Sequence, residues 1–120
     1  MAGGKNNPII FGVDFDGTLC RYNWPGIGEP NNELIDFLIN ERKKGNEVVL
    51  ITMREGLKLD EALIWCKQMG LTFDAVNDNL PRMKGFFGNN PRKIYANYYI
   101  DDAAVNVSDW SSFVQSFQRI

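Results

Sequence analysis

The chain has 120 residues, of which 44% are hydrophobic, so it is long enough for one compact domain with a buried core and too short for two. Its 13 Lys and Arg residues against 15 Asp and Glu residues leave a formal net charge of -2, which excludes a strongly basic nucleic-acid platform and a polybasic membrane anchor. The absence of histidine excludes Ser-His-Asp hydrolysis, phosphohistidine intermediates and His-ligated zinc. We therefore expect a flexible leader at 1–7 and a single domain at 8–120 that acts on small, soluble partners.

The cysteine usage indicates a reducing compartment. Cys20 and Cys66 form no CxxC pair, and neither a secretory signal nor a membrane-spanning apolar run is evident, so a disulfide framework and a membrane segment are not expected. Neither cysteine begins an anion-binding glycine-rich loop that ends in Arg, which argues against a catalytic thiol. We expect Cys66 in the core and the protein in the cytoplasm.

The first half of the chain alternates apolar runs with turn residues. In chain order, we expect a strand at 9–13, a loop or short hairpin at 20–30, a helix capped by Asn31 or Asn32 and ended by Gly45, a strand at 47–51, and a helix at 57–69 ended by Gly70.

The second half continues the alternation. We expect a short strand at 73–76, an irregular stretch at 78–91, a short helix from Pro91 to Tyr95, a strand at 98–100, and a last helix with the apolar stripe Trp110, Phe113, Val114 and Phe117. This order predicts an α/β fold, a three-layer α/β/α, Rossmann-like domain with a mostly parallel central sheet.

Polar side chains follow three of the predicted strands. Asp14 and Asp16 come after the first strand, Thr52 after the second and Asp101-Asp102 after the last. Because the carboxyl ends of parallel strands meet at one edge of a sheet, we expect these residues to converge there. Asp14 and Asp16 are two residues apart and are expected to project on the same side. Lys93, near the start of the preceding helix, is expected over the same edge.

Carboxylates, a hydroxyl and a cation at one edge suit phosphoryl transfer, in which positioning and charge neutralisation supply nearly all of the catalysis. A carboxylate with an ordinary pKa of about 4 is ionised at neutral pH and can attack phosphorus. Two carboxylates from different strands can hold Mg²⁺, which keeps several waters and bridges to a phosphate oxygen. Thr52 can donate a hydrogen bond to a phosphoryl oxygen, and Lys93 can supply a positive charge.

In these motifs the chain resembles the haloacid dehalogenase (HAD) superfamily, whose phosphatases carry a DxDGT strand end, a Thr or Ser after the second strand, a downstream Lys and a terminal acidic pair. Asp14-Phe15-Asp16-Gly17-Thr18 matches the first motif, and Thr52, Lys93 and Asp101-Asp102 match the others in order. The resemblance implies a phosphatase in which Asp14 is the nucleophile that forms an aspartyl-phosphate and Asp16 is the general acid and base.

The resemblance also implies a Mg²⁺ ion bound by the Asp14 carboxylate, the Asp16 backbone carbonyl and Asp101, with Asp102 as an accessory ligand or water-holder. Which residue of the terminal pair binds the metal directly stays open. The intervals between the motifs look too short for the cap domain that many relatives insert, so a small, capless member is implied. A homo-oligomer that covers the open site is an alternative that the sequence leaves undecided.

Each site residue also has a structural interpretation. Asp-Gly after a strand is a turn signal, Thr52 is typical of a cap on the following turn, and Asp101-Asp102 is typical of an acidic turn. Lys84 and Arg92 are alternatives to Lys93 as the phosphate-binding cation. Because four such features occur in the family's order, we expect the functional interpretation to hold.

Three further residues are open to two interpretations. Arg54 is expected either to bind a substrate anion or to lie exposed in a structural role. Tyr22 and Trp24 suit either a stacking wall for an aromatic leaving group or packing against the domain. The phosphorylated substrate is not specified, and the functional alternatives are a non-catalytic phosphate-sensing or partner-binding module and a phosphotransferase.

Overall fold

A computed structural model of the chain describes residues 8–88, 90 and 93–101. In chain order the elements are β1 (Ile10–Val13), α1 (Asn32–Lys43), β2 (Glu47–Leu50), α2 (Gly56–Gln68), β3 (Ala75–Val76), α3 (Pro81–Phe87) and β4 (Tyr98–Ile100). The four strands of this described part are parallel and form one sheet in the order β3, β2, β1, β4. The predicted α/β, Rossmann-like fold is confirmed.

The strand order reverses at β1. The chain steps outward from β1 through β2 to β3 and then crosses back to place β4 on the other side of β1. Val13 pairs with both Leu50 and Ile100, so β1, β2 and β4 end at the same level of the sheet. Open parallel sheets bind ligands beyond the carboxyl ends of the strands at such a reversal point. The space beyond β1 and β4 is therefore the place to look for a site.

The sheet buries apolar side chains on both faces, because successive side chains of a strand point to opposite sides. The larger cluster contains Phe11 and Val13 together with apolar residues of α1 and α2. The smaller cluster contains Ile10 and Val49 together with Met83 of α3. Helices therefore pack on both faces, which gives the predicted three layers.

The first two helices begin and end close to where their capping residues predict. The Asn31 side chain accepts a hydrogen bond from the Leu34 amide at the start of α1, and Gly45 follows α1 with a φ of 96°. Gly70 likewise follows α2 with a φ of 92°. The third strand is shorter than predicted, because β3 comprises two residues, Ala75–Val76.

The stretch at 78–91 was expected to be irregular, and this expectation is wrong in part because it contains α3. Pro81 occupies the first turn of α3, where its missing N–H costs nothing, and Gly88 ends the helix with a φ of 76°. The Gly88 amide donates to the Lys84 carbonyl at 3.0 Å, which closes the last turn.

The short helix expected from Pro91 to Tyr95 is wrong for the part that the structure describes, since 93–95 are not helical. The Tyr95 amide donates instead to the Asn79 side-chain oxygen at 2.8 Å, so it is held by a long-range bond rather than by a helical one. Pro91 and Arg92, and the last predicted helix with Trp110, lie outside the described residues.

No helix among the described residues is long and apolar enough to cross a membrane.

Candidate active site

The carboxyl ends of β1, β2 and β4 surround a cavity of about 260 Å³. It is lined by Gly12, Val13, Asp14, Ile51, Thr52, Met53, Tyr99, Ile100 and Asp101. Its position is set by the sheet, because the Asp14 amide donates to the Ile100 carbonyl at 3.0 Å and the Ile51 amide donates to the Val13 carbonyl at 2.9 Å. Three of the residues singled out in the sequence, Asp14, Thr52 and Asp101, therefore share one cavity.

The chain leaves the sheet directly after Asp14. The Asp14 carboxylate accepts a hydrogen bond from the Phe15 amide at 2.8 Å, and the Phe15 carbonyl accepts from the Thr18 and Leu19 amides at 3.2 and 3.0 Å. Gly17 has a φ of 81°, a conformation that glycine adopts without strain. The sequence thus makes a tight turn that keeps Asp14 at the strand end.

The second carboxylate of the motif, Asp16, lies within this turn. The side-chain alternation of a strand does not continue through the turn. Asp16 is absent from the described lining of the cavity, and its carboxylate is bound by Arg54 instead.

Thr52 is fixed from two directions. Its amide donates to the Asn77 side-chain oxygen at 2.8 Å, and its hydroxyl oxygen accepts from the Arg54 amide at 3.1 Å. The hydroxyl therefore caps the following turn, as one of the two interpretations predicted. Because a hydroxyl also carries one proton to donate, this cap is compatible with a hydrogen bond from Thr52 to an anion in the cavity.

Arg54 is a buried partner of Asp16, so the structure agrees with a structural role for Arg54 but not with the expected exposure. Its Nε donates to Asp16 Oδ2 and its Nη2 donates to Asp16 Oδ1, each at 2.8 Å. The Arg54 side chain is 1% exposed and that of Asp16 is 17% exposed. Hydrogen bonding to Asp16 raises the pKa of Arg54 above its ordinary value. The pair is therefore a bidentate bridge.

Arg54 also joins the loop at 20–30 to the start of α2. It donates to the Gly26 carbonyl at 2.7 Å and to the Lys58 carbonyl at 3.2 Å. Its guanidinium carbon lies 4.9 Å from the ring centroids of both Phe15 and Trp24, on one side the core and on the other the loop. Nothing in the sequence around Arg54 signals this role, which depends on how two separate segments pack.

The two candidate lysines lie in different surroundings. Lys84 donates to Asp78 at 2.8 Å, and this hydrogen bond is the main cause of a lowered pKa of Asp78. Lys93 is exposed, and its Nζ lies 6.0 Å from the ring centroid of Tyr99, which lines the cavity. Lys93 is thus beside the cavity wall, whereas Lys84 already has a carboxylate partner.

The oxygen donors at the cavity fit a hard divalent cation. The described residues contain no group of three or more His, Cys, Asp or Glu side chains placed to hold a metal ion. Mg²⁺, however, usually takes one or two carboxylates and keeps its remaining ligands as water or substrate oxygens. Asp14 and Asp101 supply two carboxylates in the cavity, and Asp102 lies outside the described residues.

Both cysteines are buried and free. Burial raises the pKa of Cys20, and burial raises the pKa of Cys66 to about 12, so the two side chains are thiols at neutral pH. The predicted core position of Cys66 is confirmed. A thiolate nucleophile does not suit these surroundings.

The parallel sheet and the cavity beyond its reversal point define an α/β protein of Rossmann-like architecture with a candidate active site. No protein-family model matches the chain, and no curated protein matches it. Among solved structures, it is similar to a conserved protein from Bacteroides thetaiotaomicron, with a TM-score of 0.78 and 32% sequence identity over 94% of this chain and 92% of that chain. At this identity and coverage, the chain belongs to the same family as the Bacteroides protein.

Proposed function

We propose that the protein is a Mg²⁺-dependent phosphomonoester hydrolase of the HAD type that acts through an aspartyl-phosphate on Asp14. The observation that carries the proposal is the cavity itself, in which Asp14, Thr52 and Asp101 meet although they lie far apart in sequence. The order of the motifs around them, from DxDGT to the terminal acidic pair, supports the same reaction. The proposed location is the cytoplasm, which two free cysteines support.

In the proposed first step, the Asp14 carboxylate attacks the phosphorus atom and the bond from phosphorus to the ester oxygen breaks. The departing oxygen takes a proton from Asp16, which leaves an alcohol and an aspartyl-phosphate. In the second step, Asp16 accepts a proton from water as the water oxygen attacks phosphorus. Inorganic phosphate leaves, and the Asp14 carboxylate is regenerated.

Thr52 and Lys93 have separate tasks in this proposal. The Thr52 hydroxyl donates to a phosphoryl oxygen, and Lys93 reaches over Tyr99 to add a positive charge. Bound by Asp14, Asp101 and the Asp16 backbone carbonyl, with Asp102 as an accessory ligand, Mg²⁺ would reduce the repulsion between the anionic nucleophile and the anionic substrate. The position of Asp101 in the cavity lining supports its role as a direct ligand.

Arg54 is a positioning residue in this mechanism. A carboxylate has more acceptor sites than the two that Arg54 uses, so Asp16 can still exchange a proton with the leaving group or with water. The bidentate bridge fixes the orientation of the Asp16 side chain, and small errors in orientation are costly to proton transfer. The mechanism therefore places Asp16 at the leaving-group side, with Arg54 behind it.

A panel of phosphate esters assayed with Mg²⁺ tests the proposal. We expect Asp14-dependent release of phosphate that EDTA removes and that fresh Mg²⁺ restores. Asp14→Asn should lose turnover, and Asp16→Ala should lose turnover while it still binds Mg²⁺. Asp36→Asn, on the exposed side of α1, is the matched control and should behave as wild type. Undiminished turnover by Asp14→Asn would rule out the mechanism.

The ion pair between Arg54 and Asp16 also favours a second candidate, a non-catalytic phosphate-sensing or partner-binding module, because it engages the carboxylate that catalysis would need. Mg²⁺-dependent binding of phosphate esters without turnover would support this candidate, and Asp14-dependent phosphate release would reject it. A phosphotransferase would pass the phosphoryl group to an alcohol acceptor, which product analysis with competing alcohols would detect.

A further inference from the structure

Large apolar side chains are exposed on the loop at 20–30 and on the segment between Thr52 and α2. Trp24 is 49% exposed on the loop at 20–30, and Tyr22 beside it is more exposed still. Met53 is 97% exposed and lines the cavity directly after Thr52, and Leu57 at the start of α2 is also exposed. Hydration of such large apolar side chains is unfavourable, and exposed side chains of this kind are candidates for contact with a ligand.

Trp24 is held in place rather than loose on its loop. The guanidinium carbon of Arg54 lies 4.9 Å from the ring centroid of Trp24 and 4.9 Å from that of Phe15. Arg54 also donates to the Gly26 carbonyl at 2.7 Å, two residues after Trp24. A fixed aromatic side chain loses little conformational entropy when a ligand stacks on it.

Arg54 contacts both Trp24 and the proposed general acid, Asp16. The guanidinium that supports the Trp24 ring also binds both oxygens of Asp16, the residue that faces the leaving group in the proposed mechanism. In that mechanism the leaving group departs on the side of Asp16, where Arg54 links Asp16 to Trp24, while Met53 lines the cavity beside Thr52. The charge of Arg54 is already matched by Asp16, so this side of the site offers apolar surface rather than a counter-ion for a charged group.

We propose that Trp24 forms an apolar platform that selects phosphomonoesters with a planar aromatic leaving group by stacking on the ring. The inference rests on the proposed function and extends it to a substrate class. Two sources share this chemistry. The ring is either joined close to the ester oxygen, as in an arylmethyl phosphate, or carried farther away, as the base of a nucleoside monophosphate.

Matched pairs of substrates test the platform. Benzyl phosphate and ethyl phosphate both release a primary alcohol but differ in the ring, and adenosine 5′-monophosphate and ribose 5-phosphate differ in the base. We expect kcat/KM for benzyl phosphate or adenosine 5′-monophosphate, relative to its partner, to fall roughly tenfold in Trp24→Ala, mainly through KM. The pair that responds identifies the source of the ring. Trp24→Phe should restore most of the preference, and Trp24→Leu should not.

Control variants distinguish selection of the substrate ring by Trp24 from a role of Trp24 in supporting Arg54. Ile64→Ala, an exposed apolar residue in the second half of α2, should keep the wild-type preference. Met53→Ala should reduce the preference by less than Trp24→Ala. An equal loss for both members of each pair would show that Trp24 only supports Arg54, and would overturn the inference, as would an unchanged preference in Trp24→Ala.

Failure of the platform and failure of the proposed function give different results. If no ester is hydrolysed in an Asp14-dependent manner, the proposed function fails, and calorimetric titration of the Asp14→Asn protein with the same esters and Mg²⁺ still tests the platform. Tighter binding of benzyl phosphate than of ethyl phosphate, lost in Trp24→Ala, would support it. Equal affinities would overturn it. Hydrolysis without any aromatic preference would leave the proposed function standing and remove the platform.

Discussion

Arg54 and Asp16 form a bidentate ion pair, with two parallel hydrogen bonds of 2.8 Å and with the Arg54 side chain 1% exposed. Removing one partner of a buried pair leaves an uncompensated charge, which costs far more than the pair itself contributes. The pair therefore fixes one orientation of Asp16 and ties that orientation to the loop at 20–30 and to α2. If Asp16 transfers protons, its efficiency depends on Arg54.

Arg54→Lys tests this dependence. Lysine keeps the positive charge but cannot make two parallel hydrogen bonds, so we expect kcat to fall roughly 10- to 100-fold with little change in KM. Arg54→Ala should in addition lower the free energy of unfolding by about 3 kcal/mol, because Asp16 and the Gly26 and Lys58 carbonyls lose their donor. Steady-state kinetics and urea unfolding measure the two effects.

The pair of Arg42 and Asp74 is the matched control. Arg42 Nε donates to Asp74 Oδ2 at 3.1 Å and Arg42 Nη2 donates to Asp74 Oδ1 at 2.8 Å, which is the same bidentate arrangement between α1 and the segment before β3. Arg42→Lys should lower the free energy of unfolding slightly and leave kcat unchanged. Wild-type kcat in Arg54→Lys, or an equal loss in both variants, would contradict a positioning role for Arg54.

Substitutions of the two candidate lysines should have different effects on kcat/KM. Lys93→Met should lower kcat/KM by roughly 10- to 100-fold, because a charged hydrogen bond to the phosphoryl group is lost. Lys84→Met breaks an exposed ion pair with Asp78 and should change kcat/KM by less than twofold, since exposed pairs contribute little. Initial rates over a range of substrate concentrations decide between them. A large loss in Lys84→Met with none in Lys93→Met would assign the phosphate to Lys84.

The absence of a side chain at Gly12 leaves room for the neighbouring side chains at the cavity wall. A Cβ atom at Gly12 would lie 2.9 Å from Ile51 Cδ1, 3.2 Å from Ala96 Cβ and 3.3 Å from Tyr99 Cδ1. Gly12→Ala should lower the free energy of unfolding by about 1–2 kcal/mol through overpacking. Because Ile51 and Tyr99 line the cavity, kcat/KM should fall as well.

Gly85→Ala is the control for this substitution. No atom lies within 4 Å of a Cβ placed at Gly85, which is in α3. Alanine is the better helix former, so Gly85→Ala should stabilise the protein by about 0.5–1 kcal/mol and keep wild-type turnover. Thermal unfolding and turnover of both variants test the pair. A stable, fully active Gly12→Ala protein would show that the wall has room to spare.

The buried Cys66 thiol predicts a specific pH dependence of stability. Burial raises its pKa from the ordinary 9.0 to about 12, so the unfolded chain releases this proton before the folded protein does. The contribution of Cys66 to stability is complete below pH 9 and is lost as the pH rises from 9 towards 12. Urea unfolding at pH 8 and pH 10.5 should show a larger loss for wild type than for Cys66→Ala.

Alkylation gives an independent measurement on the same side chain. Iodoacetamide at pH 8 should leave Cys66 unmodified in the folded protein and modify it fully in urea. Rapid modification of the folded protein, or an equal pH dependence in Cys66→Ala, would contradict the buried thiol.

The strand ends could be predicted because parallel pairing needs only local patterns. Apolar runs followed by polar residues located Asp14, Thr52 and Asp101, and the register of a parallel sheet then brings them to one edge. Capping residues located α1 and α2 for the same reason. The helix α3 was not predicted, because the glycines and prolines in 78–91 indicate an irregular stretch although a short helix begins at Pro81 and ends before Gly88.

The surroundings of Asp16 could not be predicted in the same way. Arginine is rarely buried, and the burial of Arg54 depends on the loop at 20–30 closing over the segment after β2. This closure is a long-range packing event without a periodic signal.

Chemical trapping of the intermediate tests the central claim most directly. Borohydride reduces an aspartyl-phosphate to homoserine, so wild-type protein quenched with borohydride during turnover of a phosphate ester with Mg²⁺ can be digested and sequenced by mass spectrometry. The account predicts homoserine at position 14, and none without substrate or in Asp14→Asn. Homoserine at another aspartate, or turnover by Asp14→Asn at the wild-type rate, would contradict it.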